Sequence, residues 1–382
     1  MPLPGFATRG TAGVTAAAAG RPRLHRTFLP AALLLSALAL AGAVALPDPA
    51  LPLVLLVALG LGAAFVLLDF GFAGGFRHLL ERGDGRALGA TFVIPAVAAL
   101  VIVPVAALLP GYGRFVTPIG LPLLLGAMVF GIGMQIANGC GSGVLVGAGE
   151  GSRRMWVALP FFCLGGVIGS LLLPMGLMLP SLGEVDLVRW LGPWWGLAAT
   201  EALLLAGAAI VLRGAVPPRQ RLVAGAVIGG LAALLFLVSG MPWGITTGLT
   251  IWGAQAGQAI GLDLAHQAYW TADWAQAALT GPVLANHSSI ADVGLLLGAM
   301  VAAAAGGRLR HGVALSARGA AGAALGGVLM GIGARLSSGC NVGAFIGGAA
   351  SGSLHGFIWI VAVIPGCCIG MRLRPAFGLP RP

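Results

Sequence analysis

Apolar residues run along this chain in long blocks, broken by short stretches rich in glycine, polar residues or arginine. A helix that crosses a bilayer takes roughly 20 apolar residues. Ten blocks meet that length, centred in 28–46, 51–70, 88–109, 117–137, 155–179, 190–213, 222–240, 290–306, 319–337 and 355–371. Four shorter glycine-rich pieces adjoin full blocks but are too short to cross: 71–80, 140–151, 241–258 and 340–351. Short interrupted segments of this kind predict re-entrant half-helices beside a binding site. The stretch 259–289, with its Trp, Gln, Ala and His, predicts an external loop or interfacial helix.

Composition agrees with that pattern. Only 8% of the residues are charged, against about a quarter in a soluble domain, so the chain is predicted to be an integral membrane protein. The net charge of +10 would suggest nucleic acid in a soluble chain. Here the placement of the charges bears on topology instead, and no nucleic-acid partner is expected. All 21 basic residues are arginine, and with the N-terminus in the cytoplasm 18 of them fall in cytoplasmic segments. Loops on the other side hold Arg114 and Arg189 beside Asp48, Glu184, Asp186, Asp263 and Asp273. This positive-inside bias predicts cytoplasmic N- and C-termini. Residues 1–27 read as a cytoplasmic tail rather than a cleaved signal.

The chain also matches itself at an offset of 200. Gly131, Ile132, Gly133, Gly139, Cys140, Gly143 and Gly147 face Gly331, Ile332, Gly333, Gly339, Cys340, Gly343 and Gly347. Five predicted spans separate the two cysteines, and an odd number turns the second copy upside down. The expected fold is therefore all-α, with about ten transmembrane helices and four re-entrant half-helices in two inverted pseudo-symmetric repeats. The division expected is a tail 1–27, an extra span 28–50, repeat 1 over 51–189 and a connection 190–221. Repeat 2 then covers 222–372, and a second cytoplasmic tail follows over 373–382.

In each copy a span ends in a polar knot, Asn138-Gly139-Cys140 or Ser338-Gly339-Cys340, followed by a short segment opening with Gly141 or Asn341. A half-helix there would present unsatisfied N–H groups and the positive end of its dipole, an anion site. A neutral thiol adds a polarisable sulfur and a weak S–H donor. A ligand with one soft sulfur end and charged oxygens suits that mixture. Arg335 lies five residues before Cys340, where its counterpart in the first copy is Gln135. Charge at such depth is costly; it either ties down carbonyls of a broken helix or draws an anion into the path.

The remaining polar residues are weaker candidates. Cys163, Cys367 and Cys368 could extend a relay or simply fill apolar space. Glu201 is a proton or packing partner, Asp69 and Arg77 could pair, and Trp243 and Trp252 either sit at an interface or shape the path. The histidines have no metal-site spacing and no GxxxxGK loop occurs. Neither a cofactor nor a metal is expected.

The blocks GMQIANGCGSG (133–143), LPFFCLGGVIGSLLLP (159–174), PWGITTGLTIWG (242–253) and GARLSSGCNVGAFIGGAASGSLHGF (333–357) resemble the YeeE/YedE sulfur-transport family over about residues 51–371. The resemblance implies a multi-pass protein of a bacterial inner membrane that is not an enzyme and takes up thiosulfate. It also implies motif cysteines at Cys140 and Cys340 that pass the anion along, and a small cytosolic sulfurtransferase-like partner. Family members that import thiosulfate use a third cysteine; the corresponding stretch here reads DFGFAGGFRHLL, with Gly71 at the expected place. That departure leaves room for another sulfur or selenium species. The rival reading is a membrane-embedded sulfurtransferase forming a cysteine persulfide, which would need an activating base.

Overall fold

The computed structural model describes residues 22–309 and 314–380. The predicted N-terminal tail up to residue 21 lies outside the described residues, as do Arg310 and Arg381. What is described is all-α, without a named strand; extended contact is limited to isolated bridges Gly120–Ser181 and Asp186–Ser353. Nine helical stretches among the described residues are long and apolar enough to cross a membrane, and a shorter apolar one precedes them.

That first helix is α1 (Pro22–Val44), which begins within the predicted tail. The first repeat follows as α2 (Leu51–Leu67), short α3 (Phe72–Arg82), α4 (Arg86–Thr91) running into α5 (Val93–Leu108), α6 (Leu121–Ala137), short α7 (Gly141–Gly149) and α8 (Arg153–Leu177). A turn of helix, α9 (Leu187–Leu191), and the weakly buried α10 (Pro193–Leu212) connect the halves. The second repeat runs through α11 (Arg219–Ser239), short α12 (Thr246–Ala259), α13 (Asp273–Thr280), α14 (His287–Ala305) and α15 (Ala317–Leu336). It ends in α16, a π-helical stretch Asn341–Gly347 that continues as Gly348–Ala350, and α17 (Leu354–Leu373).

Glycines set the packing between the halves, and their contacts display the symmetry. A Cβ on Gly133 would lie 2.6 Å from Gly326 O, and one on Gly126 would lie 2.8 Å from Gly333 O. These two pairs exchange places under the 200-residue offset, and they run α6 antiparallel to α15. A two-fold relation between antiparallel helices has its axis across them, so the repeats are inverted. Other pairings repeat the rule: α2 packs on α14 as α11 packs on α5, and α8 packs on α15 as α17 packs on α6. Such close backbone approach is how membrane helices gain packing where lipid offers no hydrophobic drive.

Parts of the sequence reading shift in the structure. The stretch 259–289, expected as an external loop or interfacial helix, contains α13, but its Trp270 is fully buried and donates from Nε1 to Ser170 Oγ at 3.0 Å. Trp243 is buried inside the protein rather than at an interface. Arg77 bonds Asn138 Oδ1 at 2.9 Å instead of pairing with Asp69.

Candidate functional site

The helix α6 stops at Ala137 because Asn138 adopts a left-handed conformation, φ 65°. The chain then turns through Gly139 to Cys140, the N-cap of α7. Cys140 Sγ accepts the Gly143 N–H at 3.4 Å and lies 3.4 Å from the Ser142 hydroxyl. The N–H of Phe72, the first residue of α3, is also directed at Cys140. Two half-helix N-termini thus converge on one sulfur.

The second copy repeats this turn. Ser338 takes φ 60° where Asn138 does, and Gly339 takes φ 145°. A Cβ on Gly339 would lie 2.6 Å from Ala344 N, so glycine is required for both conformation and space. Cys340 occupies the N-cap position of α16, without a side-chain cap hydrogen bond of the kind Cys140 makes. Asn341 is buried beside it, and its Oδ1 has no hydrogen-bond partner.

Cys140 and Cys340 are 2% and 0% exposed. A Cβ on Gly141 would lie 3.1 Å from Cys340 Sγ and 3.6 Å from the Phe162 ring. The thiol of one loop therefore rests on the backbone of the other with no side chain between them. At this level the interior is closed.

Arg335 binds neither carbonyls nor a carboxylate. Its guanidinium donates to Tyr269 Oη at 2.6 Å, Thr246 Oγ1 at 3.0 Å and Thr247 Oγ1 at 3.2 Å. All three acceptors are neutral, and Arg335 has no ion-pair partner among the described residues. Its positive charge is added to the N-terminus of α12, where the helix dipole has the same sign.

Other arginines hold the helix-end carbonyls. Arg154 donates to Ala137 O at 2.9 Å and Ile136 O at 2.6 Å. Arg374 donates to Gln135 O at 2.9 Å and to Asn138 Oδ1 at 3.0 Å. With Arg77 they satisfy the end of α6 just below Cys140, as cations at a helix C-terminus do.

The remaining cysteines belong to full spans rather than to the two loops. Cys367 is fully buried against Gln135, and Cys368 is half-buried beside it. Cys163 packs its backbone on Gly253 of α12. Glu201 sits half-buried on α10, and its Oε1 has no partner. One further acidic residue lies close to the cysteines and was missed from sequence: Asp292, fully buried on α14. A carboxyl inside the apolar block 290–306 was the available signal.

These features define an integral membrane protein of inverted repeats, whose broken helices bring two thiols together in the interior. The chain belongs to the Sulphur transport family, whose model matches residues 69–369, in keeping with its YeeE/YedE resemblance. It is 30% identical over 174 residues to the probable transporter YedE of Escherichia coli strain K12, covering 44% of this chain and 42% of that protein. It is 31% identical over 174 residues to the probable transporter YedE of Salmonella typhimurium strain LT2, with the same coverage of each chain. The match spans less than half the length of either relative.

Proposed function

We propose that this protein carries a small sulfur-containing anion, thiosulfate in the first instance, into the cell along a path between the Cys140 and Cys340 loops. The observation that carries the reading is the meeting of two thiols at opposed half-helix N-termini. Backbone N–H groups there receive the charged oxygens, and the neutral thiols offer S–H donors and polarisable sulfur to the soft end. A plain oxyanion would be served better by serine. Gly139, Gly141 and Gly339 let the ligand approach the backbone, Asn341 supplies a free carboxamide oxygen and Arg335 draws the anion toward the path. Asn138 and Ser338 shape the two turns. Because Cys340 rests on Gly141, passage requires the two loops to part.

In this reading the protein is a carrier and not an enzyme. It works in a bacterial inner membrane with both termini in the cytoplasm, where a small sulfurtransferase-like protein could receive the cargo. Cys163, Cys367 and Cys368 are assigned to packing. Uptake of labelled thiosulfate into proteoliposomes tests the proposal, with sulfate, sulfite and selenium analogues as competitors. Cys140→Ala and Cys340→Ala are each expected to reduce uptake at least tenfold while the protein still reaches the membrane. Wild-type uptake rates in both variants would remove the thiols from the mechanism. A persulfide mass on either cysteine during turnover would favour the sulfurtransferase instead.

A further inference from the structure

Asp292 is the one acidic side chain among the described residues that is fully buried, at 0% exposure. Neither of its oxygens has a hydrogen-bond partner. The carboxyl presses on the backbone of Gly248, and the Leu249 N–H in the first turn of α12 is directed at it. Gly248 follows Thr247, whose hydroxyl accepts from Arg335 at 3.2 Å. An acid kept in such a place without a counter-charge costs stability and is a candidate for function.

Among the described residues no cation is paired with the carboxyl. Described side chains of α1 and α2 that pack on α14 include no titratable group, nor do α7 or α12. From α8 comes Cys163, and from the cysteine loops Cys340 with Cys140 beyond it. On α14 itself, His287 is paired with Asp48 at 2.7 Å. Arg308, past its other end, donates to Val66 O, and Glu150 follows α7. Arg335 lies at the start of α12 and bonds hydroxyls there.

We propose that Asp292 binds the proton that travels with the anion, making uptake a proton-coupled symport; this rests on the transport reading above. Ionised, Asp292 places a negative charge at the first turn of α12, beside the threonines that hold Arg335, and opposes the attraction of an anion there. Protonated, it is neutral and the anion can occupy the cysteine loops. Anion and proton therefore enter together: an O–H bond forms with a proton from one side and breaks toward the other, and no redox partner is involved.

The test uses wild-type protein in liposomes loaded with a pH-sensitive dye and given labelled thiosulfate. Thiosulfate entry is expected to acidify the lumen, and an imposed inward proton gradient should raise initial uptake at least fivefold. Asp292→Asn should lose the gradient response, and Asp292→Glu should restore it. Labelled uptake without proton movement or gradient response would overturn the symport while leaving transport intact. Absence of labelled uptake by wild type would overturn the transport reading and the symport with it. A gradient response retained by Asp292→Asn would also overturn the proposal. Should Asp292→Asn fail to reach the membrane, Asp292→Glu decides: a displaced pH profile of uptake supports the role, and an unchanged profile overturns it.

Discussion

Arg335 directs its guanidinium at three hydroxyls, Tyr269, Thr246 and Thr247, and meets no carboxylate among the described residues. A cation held for structure alone would take carbonyls or a carboxylate, as Arg154 and Arg374 do at the end of α6. Arg335→Gln is therefore expected to raise the KM for thiosulfate about tenfold, equal to about 1.4 kcal/mol, while the maximal rate changes less. Arg335→Lys should fall between, since a point charge replaces a planar fork. Concentration-dependent uptake in proteoliposomes checks both. Cys140 and Cys340 stand out in the sequence because they recur in register, and Arg335 because a charge is unusual in so apolar a stretch. The work of Arg154 and Arg374 was not legible there, because the carbonyls they reach belong to a helix end that only tertiary packing brings near. Register set Gln135 opposite Arg335, but could not reveal that Gln135 lies against Cys367.

At the level of elements, the half-helices stay in place because full spans approach closely around them. Gly326 on α15 faces Ala137 N at 2.7 Å and Gly133 O at 2.8 Å from an added Cβ. Gly326→Val would push apart the two helices that carry the cysteine loops. Overpacking of this kind costs roughly 1–3 kcal/mol where side chains can yield, and backbone yields less. The expected result is membrane insertion followed by loss of a monodisperse peak in fluorescence-detected size exclusion. Gly74 on α3 has open space around its would-be Cβ, so Gly74→Ala should retain the peak and gain about 0.5–1 kcal/mol of helix preference. The inverted repeat was visible in sequence because close-packing glycines recur in register in both copies. Element limits were less so: block hydropathy placed a span at 117–137, whereas α6 starts at Leu121, after Gly120. Inside 259–289, Trp270 and Tyr269 carry no periodicity that would announce their buried contacts with Ser170 and Arg335.

Across the whole molecule, the ion pair between Arg114 and Asp186 joins segments far apart in sequence. Arg114 grips Asp186 through two bonds of 2.6 and 2.7 Å and also donates to Ser351 O at 3.0 Å, just past α16. Asp186 in turn caps α9 by accepting the Val188 and Arg189 N–H groups. The loop before α6, the link between the repeats and the end of the second half-helix are thereby clamped together. Burial pushes the Asp186 carboxyl up, but the bonds from Arg114 and the backbone outweigh it and hold the group below its ordinary range. A carboxyl lowered on folding contributes stability above its unfolded value, and that contribution is lost as pH falls through the folded one. The thermal midpoint of the detergent-solubilised protein should therefore drop as pH is lowered from about 5 toward 2. Asp186→Asn should lower the midpoint at neutral pH by the equivalent of roughly 3 kcal/mol, because it leaves Arg114 without its charge partner, and should flatten the acid limb. Asp84 is the control: its Arg86 hydrogen bond brings the carboxyl to about 2, yet the pair is exposed and screened. Asp84→Asn should leave the neutral-pH midpoint nearly unchanged. An acid limb as steep in Asp186→Asn as in wild type would show that the clamp does not hold the two repeats in register.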